Sequence, residues 1–211
     1  FFKVRISQLC LVFACGFFCC AGQAAQANHE AVTQQFTIKT MPELDRQLLA
    51  KTQSFISVKG NKLVNEQGKV VTLRGMNVAD PDKLVKDGQW SKALFVELKE
   101  WGVNVIRLPV HPLAWRERGQ AEYIKLLDQA VLWANALELY LIIDWHSIGY
   151  LPSAMFQHPM YESSMEETKA FWQLIAKRYK GVSTIAVYDL FNEPTDLGGK
   201  AGIADWNVWK A

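Results

Sequence analysis

Hydrophobic and polar positions along the chain change period several times, and each change marks an element. Phe55-Ile56-Ser57-Val58, a Gly60-Asn61 turn and Lys62-Leu63-Val64 read as a hairpin, because Gly and Asn tolerate the positive φ such turns demand. A second turn around Gly68 leads into Val70-Val71-Thr72-Leu73, a strand expected to end at Arg74-Gly75-Met76-Asn77. Leu94, Phe95, Leu98 and Trp101 then recur at helical spacing, and Val103-Asn104-Val105-Ile106 follows as a strand ending in Arg107-Leu108-Pro109. Tyr123, Leu126, Leu127, Ala130, Val131 and Ala134 trace one face of a second helix. Leu139 to Ile143 is a nearly continuous apolar run, as expected of a strand buried on both faces of a parallel sheet. Ser164, with Glu167 three residues on, has the form of a capping box opening a third helix, whose apolar face carries Phe171, Leu174, Ile175 and Tyr179. Ile185-Ala186-Val187-Tyr188 forms a fourth strand, ending at Phe191-Asn192-Glu193-Pro194.

Strand and helix in steady alternation mean βα units and a parallel sheet. An open doubly wound sheet and a closed (β/α)8 barrel both fit. The first strand is followed by no Gly-rich phosphate fingerprint, which disfavours a dinucleotide-binding open sheet. Every strand ends in polar residues instead: Asn77, Arg107 with His111, Asp144 with His146, then Asn192-Glu193. In a barrel those ends face the substrate, so a barrel preceded by a β-hairpin is the expected fold. The repeat is roughly 38 residues, and eight such units extend on the order of 150 residues past Ala211. A half-barrel leaves two sheet edges unpaired. The chain is therefore expected to stop inside its domain, after about the fourth βα unit.

Composition narrows the possibilities further. The sequence is 50% hydrophobic and 21% charged, with a formal net charge of +2, which suits a globular domain and not a disordered one. No basic stripe stands out, so a nucleic-acid partner is not expected. All four cysteines (Cys10, Cys15, Cys19, Cys20) lie in the first twenty residues; the rest of the chain has no disulfide, thiolate metal site or cysteine nucleophile. Lys3 and Arg5, an apolar stretch from about Leu9 to Ala21 and the Ala25-Gln26-Ala27 site give residues 1–27 the form of a secretory leader. That stretch is short for a membrane span, which needs about 20 apolar residues, so export without a retained membrane anchor, into periplasm or medium, is expected. Residues 28–52 read as a polar tail and linker, and residues 53–211 as a partial catalytic domain. The four histidines are too scattered for a metal site, and no G-x-S-x-G marks a serine nucleophile.

Glu193 carries the sharpest candidate chemistry. A partly desolvated carboxyl at a strand mouth has its pKa raised and stays protonated, ready to act as an acid. The competing reading is a first-turn Glu favoured by the dipole of the following helix. His111 is open to sugar binding or loop packing, Tyr150 to cleft lining or loop anchoring, and Trp206 and Trp209 read as helix packing. Asp144 reads as a structural hydrogen-bonding residue and not as a catalyst.

Taken in register, Arg-Gly-Met-Asn at 74–77, Ile-Arg-Leu-Pro at 106–109, Asp-Trp-His at 144–146 and Phe-Asn-Glu-Pro at 191–194 resemble glycoside hydrolase family 5, the cellulase-type barrels. The resemblance covers about residues 55–211. It implies that Glu193 is the general acid/base and that Asn192 binds the sugar 2-hydroxyl. It further implies that Arg107 orients the nucleophilic carboxylate, with His146 in the same polar network; Asn77, His111 and Tyr150 are the candidate substrate contacts beside them. The implied chemistry is retaining hydrolysis of β-1,4-glucan by double displacement, with no cofactor and no metal, on a monomer whose partner is a β-glycan. The nucleophilic Glu of the family closes strand seven, so a chain of this length is expected to be inactive by itself. A β-mannanase or other β-glycan hydrolase of the same fold, and a non-catalytic sugar-binding barrel, are the alternatives.

Overall fold

A computed structural model describes Leu44 and residues 53–194. The proposed leader at 1–27, its cysteines, the tail and linker at 28–52 apart from Leu44, and Trp206 and Trp209 lie outside the described residues. Strands β1 (Ser57–Lys59) and β2 (Lys62–Val64) pair antiparallel, Ser57 opposite Val64. Gly60 takes a φ of 62° in their turn, the conformation an L side chain resists. Four further strands form one parallel sheet in the order β3 (Gly75–Asn77), β4 (Val105–Val110), β5 (Tyr140–Trp145) and β8 (Ile185–Asp189). Helices α1 (Pro81–Lys86) and α2 (Lys92–Glu100) connect β3 to β4. Helices α3 (Pro112–Arg118) and α4 (Gln120–Ala136) connect β4 to β5. Between β5 and α5 (Met165–Arg178) lies an insertion carrying the short antiparallel pair β6 (Gly149–Tyr150) and β7 (Met155–Phe156).

Alternation along the strands sorts their residues onto two faces. On the helix-covered face, Trp145 packs against Phe171 of α5 with ring centroids 4.3 Å apart, and Trp115 of α3 meets Phe171 at 5.0 Å. Leu141 and Ile143 share that face and are fully buried, as are Ile106 and Leu108 of β4. Helix α4 buries the residues its sequence period selects: Tyr123, Leu126, Leu127, Ala130, Val131 and Ala134. Asp128 on the same helix is clamped by Arg178 (Nε to Oδ1, 2.8 Å; Nη2 to Oδ2, 2.5 Å) and by the Tyr179 hydroxyl (2.9 Å), which fixes α5 beside α4. The opposite face carries Asn77, Arg107, Asp144 and Asp189.

Several expectations shift by a few residues, each for a local reason. The parallel strand begins at Gly75 and not at Val70. Val70 forms an antiparallel bridge to Val64, and the Val71 amide donates to the Leu63 carbonyl at 2.9 Å; this β-branched run extends the hairpin instead. Asn104 then latches the junction, its side chain accepting from the Arg74 amide (2.7 Å) and donating to the Thr72 carbonyl (2.9 Å). Arg107 does not close its strand but is the third of six residues in β4. Pro109 lies inside that strand with its N–H-less side facing β3, past the point where β3 stops pairing, so no ladder bond is lost. Strand β5 extends through Trp145 and includes Asp144. Trp101, expected on the inner face of α2, is 63% exposed at its C-cap. The capping box is half formed: Ser164 Oγ accepts from the Glu167 amide at 3.0 Å, while the Glu167 carboxylate is drawn to Arg116 Nη1 at 2.8 Å.

Helices α1 and α3 have no counterpart in the apolar periodicity, yet Asp80-Pro81 and His111-Pro112 mark their starts, since Pro at the first helical position loses no hydrogen bond. Among the described residues, no helix is long and apolar enough to cross a membrane. At Gly75, a β-carbon would sit 2.0 Å from the Val105 carbonyl oxygen and 2.5 Å from Val105 Cγ1, so only glycine lets β3 approach β4. Gly75→Ala in the intact protein is expected to destabilise it by about 1–3 kcal/mol, read as a lower urea midpoint at unchanged m-value.

Candidate active site

Side chains of all four parallel strands meet at one guanidinium. Arg107 of β4 donates from Nη1 to Asn77 Oδ1 of β3 (2.9 Å), and from Nε (3.1 Å) and Nη2 (2.8 Å) to Asp189 Oδ2 of β8. Its Nη2 also reaches Asn192 Oδ1 at 2.8 Å and Asp144 Oδ2 of β5 at 2.9 Å. The parallel register brings these side chains to one face: Asn77 is opposite Arg107, and Asp144 is opposite both Pro109 and Asp189. An irregularity between Leu141 and Ile142 leaves Ala186 as an extra residue in β8 and sets Asp189 level with Asp144. Past β8, the Asn192 amide donates to the Trp145 carbonyl at 3.1 Å, which holds Asn192 over Arg107. The Arg107 donor identifies the Asn192 oxygen; its buried Nδ2 has no partner among the described residues.

Asp144 is fully buried, and that burial raises its pKa, against the opposing pull of His146 and Arg107. His146, immediately after β5, places Nδ1 2.6 Å from Asp144 Oδ2. Its ring stands 4.9 Å from that of His111 and 5.9 Å from that of Tyr161. The backbone amide of His111 donates to Asp80 Oδ2 (2.8 Å), while its Nδ1 lies 3.6 Å from the same oxygen. Burial, reinforced by His146, lowers the pKa of His111 to about 4, so it presents a neutral imidazole across the neutral range. Burial likewise raises the pKa of Asp80.

Of the residues singled out in the sequence, Arg107, Asn192, Asn77 and His146 converge, and His111 joins them through its ring. Tyr150 lies on β6 of the insertion, next to Gly149, which bridges Pro194; this puts it beside the end of the Asn192-Glu193 segment. Glu193 differs from expectation. It is exposed, so none of the described residues supplies the anticipated desolvation. Its φ of 38° is a costly conformation for a non-glycine residue and is found at strained functional positions.

Three contributors were not anticipated: Asp189, Asp80 and Tyr161. Tyr161 lies on a short helical turn (Pro159–Tyr161) of the insertion, and its carbonyl accepts from the buried Ser147 hydroxyl at 2.5 Å. Beside it, Arg116 donates to the Glu162 carbonyl at 3.0 Å, and Ser163 Oγ accepts from Trp145 Nε1 at 3.2 Å. Among the described residues, no cluster of His, Cys, Asp and Glu is arranged to hold a metal ion.

Residues 64–211 match the family model for Cellulase (glycosyl hydrolase family 5). A β-glucanase of Saccharophagus degradans, solved in complex with cellotetraose, is 52% identical and superposes with a TM-score of 0.76, covering 84% of this chain and 53% of that one. Endoglucanase N of Pectobacterium atrosepticum is 28% identical over 162 residues, 74% of this chain and 32% of its own length. The major extracellular endoglucanase of Xanthomonas campestris pv. campestris is 28% identical over 170 residues, 69% of this chain and 34% of its own length. The chain thus spans about a third of these curated relatives and about half of the Saccharophagus chain.

The low pKa of His111 has a sign that can be checked. Below the unfolded value of about 6.5 the unfolded chain takes up a proton that the folded chain refuses. Stability from this group is complete above that pH and is lost as pH falls toward about 4. His111→Gln is expected to flatten the fall in urea midpoint between pH 7 and pH 4.5, and the wild-type ring should show no NMR titration near pH 6.5.

Proposed function

This chain belongs to the cellulase family, glycosyl hydrolase family 5, and from that membership we propose that its parent protein is an exported, retaining endo-β-1,4-glucanase. The fold is the family's (β/α)8 barrel, of which the described residues contribute four adjacent parallel strands. The observation that carries the reading is the meeting of side chains from all four parallel strands at Arg107, with Asn192-Glu193 on the segment just past the fourth. Strand ends are where barrel enzymes place their chemistry. The 52% identity to a β-glucanase solved with cellotetraose favours a β-glucan over other β-glycans as substrate. Export rests on the leader-like residues 1–27 and on the extracellular relative in Xanthomonas.

In this reading Glu193 is the acid/base. A second carboxylate, about 5 Å from it in retaining enzymes, attacks the anomeric carbon. As the glycosidic C–O bond breaks, Glu193 gives its proton to the leaving oxygen. Glu193 then takes a proton from water, whose oxygen displaces the enzyme carboxylate and returns the sugar with its original configuration. Asp144 and Asp189 are poor candidates for that nucleophile, since both are committed to Arg107; by the family resemblance it closes a later strand. Asn192, with Oδ1 fixed on Arg107, directs Nδ2 to the sugar 2-hydroxyl, a bond that strengthens in the transition state. Arg107 holds Asn192 in place and supplies positive potential where the nucleophile must stay ionised. His146 and His111 line the same mouth, with Asn77 and Tyr150 at its sides.

Glu193→Gln in the intact enzyme is expected to lower kcat/KM on unactivated β-1,4-glucan by about 10²–10⁴-fold. Azide should partly restore turnover of aryl glycosides with good leaving groups, because these need no acid for departure. Full activity of this variant removes Glu193 from the mechanism. Turnover of β-mannan in preference to β-glucan by the wild type moves the substrate assignment.

A further inference from the structure

We propose that Asp144 is a positioning residue that fixes the ring tautomer of His146, so that His146 meets the substrate with an unprotonated Nε2. The inference rests on the active-site reading of His146 and adds to it a residue whose sequence context points only to structure. Asp144 has no exposed surface, so it cannot touch a sugar itself. One of its oxygens, Oδ2, lies 2.6 Å from His146 Nδ1 and 2.9 Å from Arg107 Nη2. The ion pair with Arg107 favours the carboxylate form of Asp144, which can only accept, so Oδ2 accepts from Nη2 and His146 Nδ1 brings the second proton. Whenever the ring is neutral, that proton is on Nδ1 and Nε2 is left with a lone pair.

Packing leaves the ring little alternative. His111 and Tyr161 crowd the ring from one side, their centroids 4.9 Å and 5.9 Å from it and 5.7 Å from each other, and the backbone amide of His146 is tied to the Val110 carbonyl at 2.9 Å. Nε2 has no hydrogen bond among the described residues. An acceptor there suits a hydroxyl donor, which every pyranose supplies. Arg107 does not depend on Asp144 alone, because Asp189 accepts from it through both Nε and Nη2; loss of Asp144 therefore falls chiefly on His146.

Two variants in the intact enzyme separate this from a purely structural role. Asp144→Asn keeps an oxygen that can face both donors, whereas Asp144→Leu keeps the volume and removes the acceptor. The ring carbon and nitrogen NMR shifts of His146 are expected to report an Nδ1–H tautomer in the wild type and in Asp144→Asn, and a shift to Nε2–H in Asp144→Leu. On a soluble β-glucan, kcat should fall by about 10–100-fold in Asp144→Leu, on the scale of lost supporting hydrogen bonds at a site, with partial recovery in Asp144→Asn. His146→Gln should remove most of the difference between Asp144 and Leu at that position, since coupled residues do not add. An Nε2–H tautomer in the wild type overturns the proposal, as does a loss of kcat in Asp144→Leu that persists undiminished in the His146→Gln background. The tautomer is read without substrate, so a wild type that shows the Nδ1–H ring but hydrolyses no β-glucan refutes the enzyme reading and leaves the positioning intact.

Discussion

A single cation holds the working end of this sheet together. Asn77, Asp144 and Asp189 come from three different strands and Asn192 from the turn after the last; each directs an oxygen at Arg107, on the fourth strand. Without that charge, the fully buried Asp144 would be an uncompensated ion, which costs several kcal/mol, with the partly exposed Asp189 repelling it from the next strand. Without the oxygens, the guanidinium would be the unpaired group. Neither half of the arrangement is stable alone, and the sheet register is what delivers both to the same place.

The two faces of the sheet solve different problems with the same strands. Leu141, Ile143 and Trp145 point toward the helices and are fully buried, Trp145 against Trp115 and Phe171; burial of this apolar face supplies the main driving force for folding. Asp144, between Ile143 and Trp145 in sequence, points the other way and enters the polar layer. A polar cluster of this kind adds little net stability but strongly disfavours alternative pairings, since every other register leaves a charge unmatched. The exposed Glu193, at a positive φ just past this layer, is held by the backbone of its neighbours: Asn192 bonds Trp145, and Pro194 bridges Gly149.

What was legible in the sequence was what depends on neighbours close along the chain. The period of α4, the N-cap Ser164 and the apolar run of β5 each carry their own signal, and the order of the four parallel strands follows from their alternation with helices. The strand at 70–73 misled because a β-branched run looks the same whether it joins a parallel sheet or an antiparallel hairpin. Glu193, Asn192, Arg107 and His146 were legible only as a set resembling a known family. Asp189 was invisible because its meaning comes from Arg107, 82 positions earlier, and from one extra residue in β8. Asp80 and Tyr161 were missed for the same reason: Asp80 acts on His111, 31 positions on, Tyr161 packs on His146 across the insertion, and neither belongs to a periodic pattern.

The alternation of Ile143, Asp144 and Trp145 bears on how such a protein can change over time. A one-residue slip of β5 would turn Trp145 into the polar layer around Arg107 and Asp144 into the hydrocarbon between sheet and helices, breaking core and polar cluster at one stroke. Drift within the strand is thus penalised twice. The insertion that follows, from Ser147 to Ser163, is constrained only in part: Ser147, Arg116 and Trp145 anchor it, Gly149 bridges Pro194 and Tyr161 packs on His146, while residues 152–155 and 157–159 are exposed. Change is tolerated most easily at those exposed positions, while the strand beneath them stays as it is.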